Sequence, residues 1–281
     1  MAKMVLEEMK NKIMCSDSVQ GMKKLPDESL DLAILSPPYD QMRDYEGNPD
    51  FDLHETGKQL YRILKEGSIC AMVIQDQTKN FAKSLTSFRT VVDWCDSFGF
   101  RLFECCIYKK NGTPGAWWAK RFRVDHEYIF LFLKGDRPAY FNKEPLKINA
   151  KYAGLVSNGY GCRRTDGSTA RSSVKKIDNK KCRGTIWNYT NDILSENLNK
   201  KLKKQHPATM PDRLPFDIIQ CFSREGNIVI DPFIGSGSTA ISALELNRNF
   251  IGFEISEKYV KIAKTIIKTW ERNKYENDMF A

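Results

Sequence analysis

Residues 227–245 read NIVIDPFIGSGSTAISALE. Asn227 to Ile230 is a short apolar run of strand character, and it closes on Asp231. Gly235-Ser236-Gly237-Ser238-Thr239-Ala240 then fits G-x-G-x-x-A, and Ser238 to Leu246 reads as a helix. Glycines permit a tight turn and let a ligand approach the backbone closely. A second strand, Asn249 to Phe253, leads to Glu254, 19 residues beyond Gly235, where an acid can accept hydrogen bonds from ribose hydroxyls. Strand, glycine turn, helix, strand and acid together predict a nucleoside-binding α/β unit.

The rest of the chain alternates in the same way, as a parallel sheet with helices on both faces requires. Lys12 to Cys15 is a short strand, Val19 to Lys24 a short helix, and His54 to Leu64 a longer one. Ser68 to Ile74, Arg101 to Tyr108 and Glu127 to Leu133 read as strands, and Ser84 to Ser97 as a helix. Pro211 suits the first turn of a helix running to Ser223. Ser256 caps a last helix with Tyr259, Ile262, Ala263, Ile266, Ile267 and Trp270 on one face.

A nicotinamide dinucleotide oxidoreductase would use the same glycines and distal acid. Asp231-Pro232-Phe233 separates the two readings. An acid ahead of a proline–aromatic corner suits the amino group of an amino-acid-bearing nucleoside better than a pyrophosphate. S-adenosyl-L-methionine is therefore favoured over NAD.

A second motif lies near the other end of the chain. Residues 31–40 read DLAILSPPYD, a buried-looking strand stopped by Ser36-Pro37-Pro38-Tyr39. Neither proline can donate a ladder hydrogen bond, and each holds the residue before it extended. A hydroxyl and an aromatic ring are thereby mounted on a stiff turn at the carboxyl edge of a strand, where open α/β sheets bind ligands.

Charge is unevenly placed. Residues 140–205 hold 15 Lys/Arg against 5 Asp/Glu, a net of +10 in a chain whose total is +9. The segment also carries Tyr140, Phe141, Tyr152, Tyr160, Trp187 and Tyr189, with loop-like stretches between. Basic charge interleaved with aromatics suits a nucleic acid. The eight cysteines form no C-x-x-C pair, and several lie in apolar stretches, so reduced, mostly buried thiols in a cytoplasmic protein are expected. The amino-terminal stretch lacks the apolar core of a signal peptide, no run is long enough to span a bilayer, and with three histidines no metal site is expected.

Ser36-Pro37-Pro38-Tyr39 followed far downstream by Asp231-Pro232-Phe233 and Gly235-Ser236-Gly237-Ser238-Thr239 resembles the amino-methylating DNA methyltransferases of the β arrangement. The resemblance implies the S-adenosylmethionine-dependent methyltransferase fold, a Rossmann-like, mostly parallel seven-stranded sheet with one antiparallel strand. It divides the chain into a first catalytic part (1–139), a target-recognition insertion (140–205) and a second catalytic part (206–281). It places Asp17 against the adenine of the cofactor, and Thr209 and Pro211 near the methionine moiety, beside Asp231, Pro232, Phe233, Gly235, Ser236, Gly237, Ser238, Thr239 and Glu254. Lys109-Lys110-Asn111 and His126-Glu127-Tyr128 fit the elements flanking the target-base pocket.

On that reading Ser36 Oγ and the Pro37 carbonyl accept hydrogen bonds from an exocyclic amine, with Pro38 pinning the turn and Tyr39 stacking on a flipped base. In this family Ser before Pro-Pro-Tyr is associated with cytosine N4, and Asp with adenine N6. Cytosine N4 is expected, with adenine N6 as the alternative. Carbon-5 methylation fits poorly, because no Pro-Cys dipeptide occurs. Double-stranded DNA is the expected partner, contacted by Arg43, Lys110, Arg163, Arg164, Arg171, Lys175 and Lys176, mostly at phosphates. Trp117-Trp118 and the loop Asp40 to Asn48 are candidates for the DNA cleft or, for the tryptophans, the core. By family analogy a homodimer is expected. The chain carries no cleavage motif, so restriction would fall to a separately encoded endonuclease. The less favoured readings are an RNA or protein-amide methyltransferase, an NAD-dependent oxidoreductase and an inactive DNA-binding protein.

Overall fold

A computed structural model describes residues 2–38, 51–110, 120–157, 161–171, 174–189 and 210–279. The chain divides into two compact units, Met1–Phe141 with Thr185–Ala281, and Asn142–Gly184.

The larger unit contains, in order, α1 (Ala2–Met9), β1 (Lys12–Cys15), α2 (Ser18–Met22), β2 (Leu30–Leu35), α3 (Leu53–Ile63), β3 (Leu64–Ile74), α4 (Thr86–Phe98), β4 (Phe100–Lys109), β5 (His126–Lys134), β6 (Ile186–Asn188), α5 (Arg213–Phe222), β7 (Ile228–Asp231), α6 (Ser238–Glu245), β8 (Asn249–Glu254) and α7 (Glu257–Met279). A two-residue hairpin, Thr78–Lys79 against Ala82–Lys83, lies between β3 and α4. The strands form one sheet in the order β1-β8-β7-β2-β3-β5-β4-β6. Only β5 runs antiparallel to its neighbours β3 and β4. The fold is the expected mostly parallel α/β sheet.

Chain order reverses direction between β7 and β2. From β7 the chain steps through α6 to β8 on one side, and from β2 through α3 to β3 on the other. The two strands pair in parallel with Val229 beside Leu32 and Ile230 beside Ala33. Asp31 secures the join, accepting from Ile228 N at 2.8 Å while its other oxygen pairs with Lys65 at 2.6 Å. The carboxyl ends of β7 and β2 thus flank the switch point, where such sheets bind ligands.

The sequence reading and the structure differ in three places. The sheet has an eighth strand: Ile186–Asn188, counted within the basic insertion by its charge, pairs with β4, and Trp187 and Tyr189 are buried. The separate unit accordingly begins at Asn142 and ends at Gly184 rather than spanning 140–205. Helix α5 starts at Arg213, so Pro211 stands before it; Pro215 occupies the first turn instead, where its missing N–H forfeits no helical bond. Cys70, Cys106 and Cys221 are buried and Cys95 and Cys105 half-buried, while Cys15 and Cys182 are exposed.

The core beside β3 is aromatic. Trp94, Phe100 and Phe132 are fully or nearly fully buried, with the Trp94 ring 4.9 Å from Phe132 and 5.7 Å from Phe100. Each such side chain contributes roughly 1.5–3 kcal/mol by leaving water. Trp94 Nε1 donates to the Leu53 carbonyl at 3.0 Å, which ties α4 to the start of α3. Gly57 is what allows this approach: a Cβ there would lie 2.3 Å from Trp94 Nε1.

The smaller unit is a broken antiparallel arm. Ile148–Asn149 pairs with Lys180–Lys181, Val156–Ser157 with Lys175–Lys176, and Gly161–Arg163 with Thr169–Arg171, so the pairs nest one inside the next. The tip closes through Arg164 N to the Ser168 carbonyl at 2.8 Å. Asp166 accepts from Ser168 N and Oγ at 2.8 and 2.7 Å.

Alanine is the better helix former, yet Gly57→Ala must push the Trp94 indole aside. The substitution is expected to lower unfolding free energy by about 1–3 kcal/mol, as overpacking does, measured by urea titration.

Candidate active site

Four neighbouring parallel strands, β1, β8, β7 and β2, each end at the same sheet edge beside a polar residue singled out from the sequence. These are Asp17 two residues past β1, Glu254 at the end of β8, Asp231 at the end of β7 and Ser36 just past β2. Register aligns them: Cys15 lies beside Glu254, and Asp231 beside Gly252. With strands roughly 4.8 Å apart, the row spans about 15 Å, enough for an adenosine with an amino-acid tail.

Asp231 is the most constrained member. It is 3% exposed, and its carboxylate accepts from Thr239 Oγ1 at 2.6 Å and from Phe233 N at 2.9 Å. No ion pair reaches it among the described residues. Burial pushes its carboxyl up to about 7, against the lowering effect of those two hydrogen bonds, and the Glu254 charge adds to the rise. Glu254 is also raised by burial, while the Ser256, Gly235 and Ile255 backbone N–H groups partly hold it down. Two acids with raised pKa values and, among the described residues, no cationic partner form a site suited to a cationic ligand group.

The glycine turn is built as expected. Gly237 has φ +87° and precedes α6, a backbone conformation that side chains rarely adopt, and Gly235 has φ +48°. Ser236, Ser238 and Thr239 are buried, and Ser238 Oγ donates to the Met210 carbonyl at 3.5 Å. Pro232 is buried, and Phe233 meets the Phe51 ring edge-on at 4.8 Å. Pro211 is buried just ahead of α5, while Asp17 is exposed and accepts from Gln20 N at 2.9 Å, capping α2.

Ser36 is half-buried and Pro37 buried at the end of β2, with Pro38 half-buried beside them. Lys110, at the end of β4, pairs with Glu127 and donates its backbone N–H to the Asp125 carbonyl. Arg163, Arg164, Lys175 and Lys176 are exposed on the arm, and Arg171 lies on its returning strand, so the structure assigns these five to the smaller unit. Tyr39, Arg43, Thr209, Trp117 and Trp118 lie outside the described residues. Burial raises the thiols of Cys70, Cys95 and Cys105, which makes them poor nucleophiles. No group of three or more metal-ligating side chains occurs among the described residues, and no described helix is long and apolar enough to cross a membrane.

The family model described as DNA methylase, covering N6 and N4 enzymes, matches residues 30–265. The chain belongs to the N6/N4 DNA methylase family. The orphan methyltransferase M.BamHII from Bacillus amyloliquefaciens is 34% identical over 88% of the chain and 92% of its own length. The DNA adenine methyltransferase YhdJ of Escherichia coli is 25% identical over 89% of the chain and 80% of its own length. Among solved structures, the cytosine-N4-specific PvuII DNA methyltransferase superposes with a TM-score of 0.67 over 90% of this chain and 84% of that one, at 20% identity. TTHA0409 of Thermus thermophilus, complexed with S-adenosyl-L-methionine, superposes with a TM-score of 0.58 at 22% identity, covering 90% of this chain and 91% of that one. As an N6/N4 DNA methylase the protein transfers a methyl group from S-adenosylmethionine to an exocyclic amine of DNA.

The sequence reading missed the residues after β3 and before β5. Gln75, Asp76, Lys83 and Arg121 line a cavity of about 860 Å³ at this same edge. The run Lys120-Arg121-Phe122-Arg123 was its one visible signal.

Asp231 keeps its proton to about pH 7 when folded, whereas an unfolded chain releases it near ~4. Between those values the folded state binds more protons, so this contribution to stability is full at acid pH and is lost as pH rises toward 7. Asp231→Asn is expected to remove up to about 1.4 kcal/mol per pH unit of that slope. Urea titrations of ligand-free protein at stepped pH would show it as a flatter profile than wild type.

Proposed function

We propose that the protein methylates the N4 amine of a cytosine swung out of double-stranded DNA, at the edge where Ser36 and Asp231 end adjacent strands. That adjacency carries the reading, because a methyl donor and an acceptor amine must meet between two strands of one rigid sheet. S-adenosylmethionine, when bound, supplies a methyl group already activated on a sulfonium sulfur.

On the cofactor side, buried Asp231 and half-buried Glu254 offer acceptors for its amino group and ribose hydroxyls. Asp17 lies at the far end of the row for the adenine. The turn from Gly235 to Thr239, with Pro211, encloses the remainder, and Thr209 is assigned to the methionine moiety by family resemblance alone. On the acceptor side, Ser36 Oγ and the Pro37 carbonyl accept the two amine hydrogens, which aligns the nitrogen lone pair. Pro38 holds that turn before the base arrives, and Tyr39 stacks on the extruded ring, offsetting part of a flipping cost of a few kcal/mol. Lys110, kept in place by Glu127, flanks the base pocket.

The arm Asn142–Gly184 is the proposed target-recognition segment. It bears 11 Lys/Arg against 3 Asp/Glu, and a two-stranded ribbon has the dimensions of a DNA major groove. Arg163 and Arg164 stand at its tip, while Arg171, Lys175 and Lys176 lie on the returning strand and suit phosphate contacts. Arg43 is proposed as a further DNA contact by family resemblance alone.

Serine ahead of Pro-Pro-Tyr and the fold shared with a cytosine-N4-specific enzyme support cytosine; the adenine-modifying relative makes adenine N6 the competing outcome. Purified protein, unmethylated DNA and isotopically labelled S-adenosylmethionine, followed by nucleoside mass spectrometry, decides between them. Label in N4-methylcytosine is expected; label in N6-methyladenine would overturn the base assignment and keep the chemistry. Ser36→Ala is expected to lower kcat by roughly 10- to 100-fold with cofactor affinity unchanged, read by calorimetry beside the activity assay.

A further inference from the structure

The cavity beyond β3 shares His126 and Tyr128 with the elements expected to flank the target-base pocket, but its basic lining has no role in the proposed methyl transfer. It opens at the carboxyl end of β3, one strand along from Ser36, between the hairpin Thr78–Lys83 and residues 120–128. Four cations border it, Lys83, Lys120, Arg121 and Arg123, against two acids, Asp76 and Asp125. Asp76 is 4% exposed and already accepts from Ser87 N and Oγ at 2.9 and 2.7 Å and from Ser84 Oγ at 3.3 Å. Asp125 faces His126, 3.5 Å from its Nδ1. The positive charge is therefore in excess.

Two cations carry that excess inward. Lys83 Nζ donates to the Asp76 backbone carbonyl at 3.1 Å rather than to a carboxylate. Its pKa is lowered by burial and by the facing Arg121 charge, although Asp76 opposes the shift. Arg121 Nη1 is buried and has no hydrogen-bond partner among the described residues. A buried guanidinium nitrogen left unpaired beside a second cation is costly, and an anion between them relieves both penalties. The rim adds rings: Phe81 is 59% exposed, Phe88 46% and Phe122 fully exposed. Basic groups inside and open aromatic faces around them match a phosphodiester and its base.

We infer that this cavity is a second nucleotide subsite, in which Arg121 and Lys83 hold a backbone phosphate of the DNA strand and the rim phenylalanines receive the attached base. It would grip the strand beside the extruded target without touching the reacting amine. The inference rests on the DNA-methylating reading above.

The test uses the full chain and a short fluorescein-labelled oligothymidylate, with anisotropy followed across a salt series. Arg121→Ala and Lys83→Ala are each expected to weaken binding about 10-fold. Each should also flatten the slope of log affinity against log salt by about 0.7, the value for one single-strand phosphate contact. Arg121→Lys should retain the slope, and Phe122→Ala should weaken binding several-fold without changing it. Calorimetric S-adenosylmethionine binding at the wild-type value shows that each variant is folded. If wild type methylates plasmid DNA but does not bind the oligothymidylate, or the alanine variants bind it with wild-type affinity and slope, the subsite is wrong and the function stands. If wild type neither binds the probe nor methylates DNA, both readings fall.

Discussion

Everything at the active edge depends on the pairing of β2 with β7. These parallel strands bring together halves of the chain whose anchoring residues, Asp31 and Ile228, are 197 positions apart. The contact is short, two aligned residue pairs plus the Asp31 carboxylate on a backbone N–H. It lies in a fully buried part of the sheet, where Leu32, Ala33, Val229 and Ile230 have no exposed surface. A one-residue slip would turn the side chains of a whole strand to the opposite face, so packing on both faces secures the register that two ladder pairs alone could not. Ser36 and Asp231 inherit their adjacency from this join.

Around the join, electrostatics and stiffness divide the work between the two strand ends. The β7 side holds one buried and one half-buried acid with no cation paired to them among the described residues, which makes them receptive to a positively charged ligand group and keeps them proton-hungry until it binds. Among the described residues of its turn, Ser36 to Pro38, the β2 side carries no ionisable side chain. It offers neutral oxygen acceptors on a backbone stiffened by consecutive prolines. Amine methylation by an activated donor demands placement more than acid–base power, and the asymmetry of the site matches that demand.

Charge is handled differently in each unit. On the arm, lysines and arginines stand in solvent, where contact with a polyanion is long-ranged and salt-sensitive. In the cavity after β3, Lys83 and Arg121 are partly withdrawn from water and crowd one another, so an anion there is bound by desolvated, directional groups. The two arrangements suit different tasks: in the proposed function the arm attracts and aligns a duplex, and in the inferred subsite the cavity grips a single strand.

Much of this was legible in the order of residues. The glycine turn, the two strand-ending acids and the Ser-Pro-Pro-Tyr stop are local features, because backbone freedom at Gly237, proline restriction at Pro37 and Pro38, and the alternation of strand and helix act over a few residues. The chain by itself therefore determined the α/β class, the methyl-donor chemistry and the candidates for the site. It did not reveal that Ile186–Asn188 joins the main sheet, since a three-residue strand directly after a basic stretch has too little period to stand out, and Trp187 is buried where that strand pairs with β4. Nor did it mark the cavity, whose Lys83 and Arg121 come from segments 38 positions apart in sequence. Strand order, the alignment of Asp17, Glu254, Asp231 and Ser36 along one edge, and the burial that raises Asp231 are products of tertiary structure. Desolvation and adjacency are properties of what surrounds a residue, and those surroundings are assembled from the whole chain.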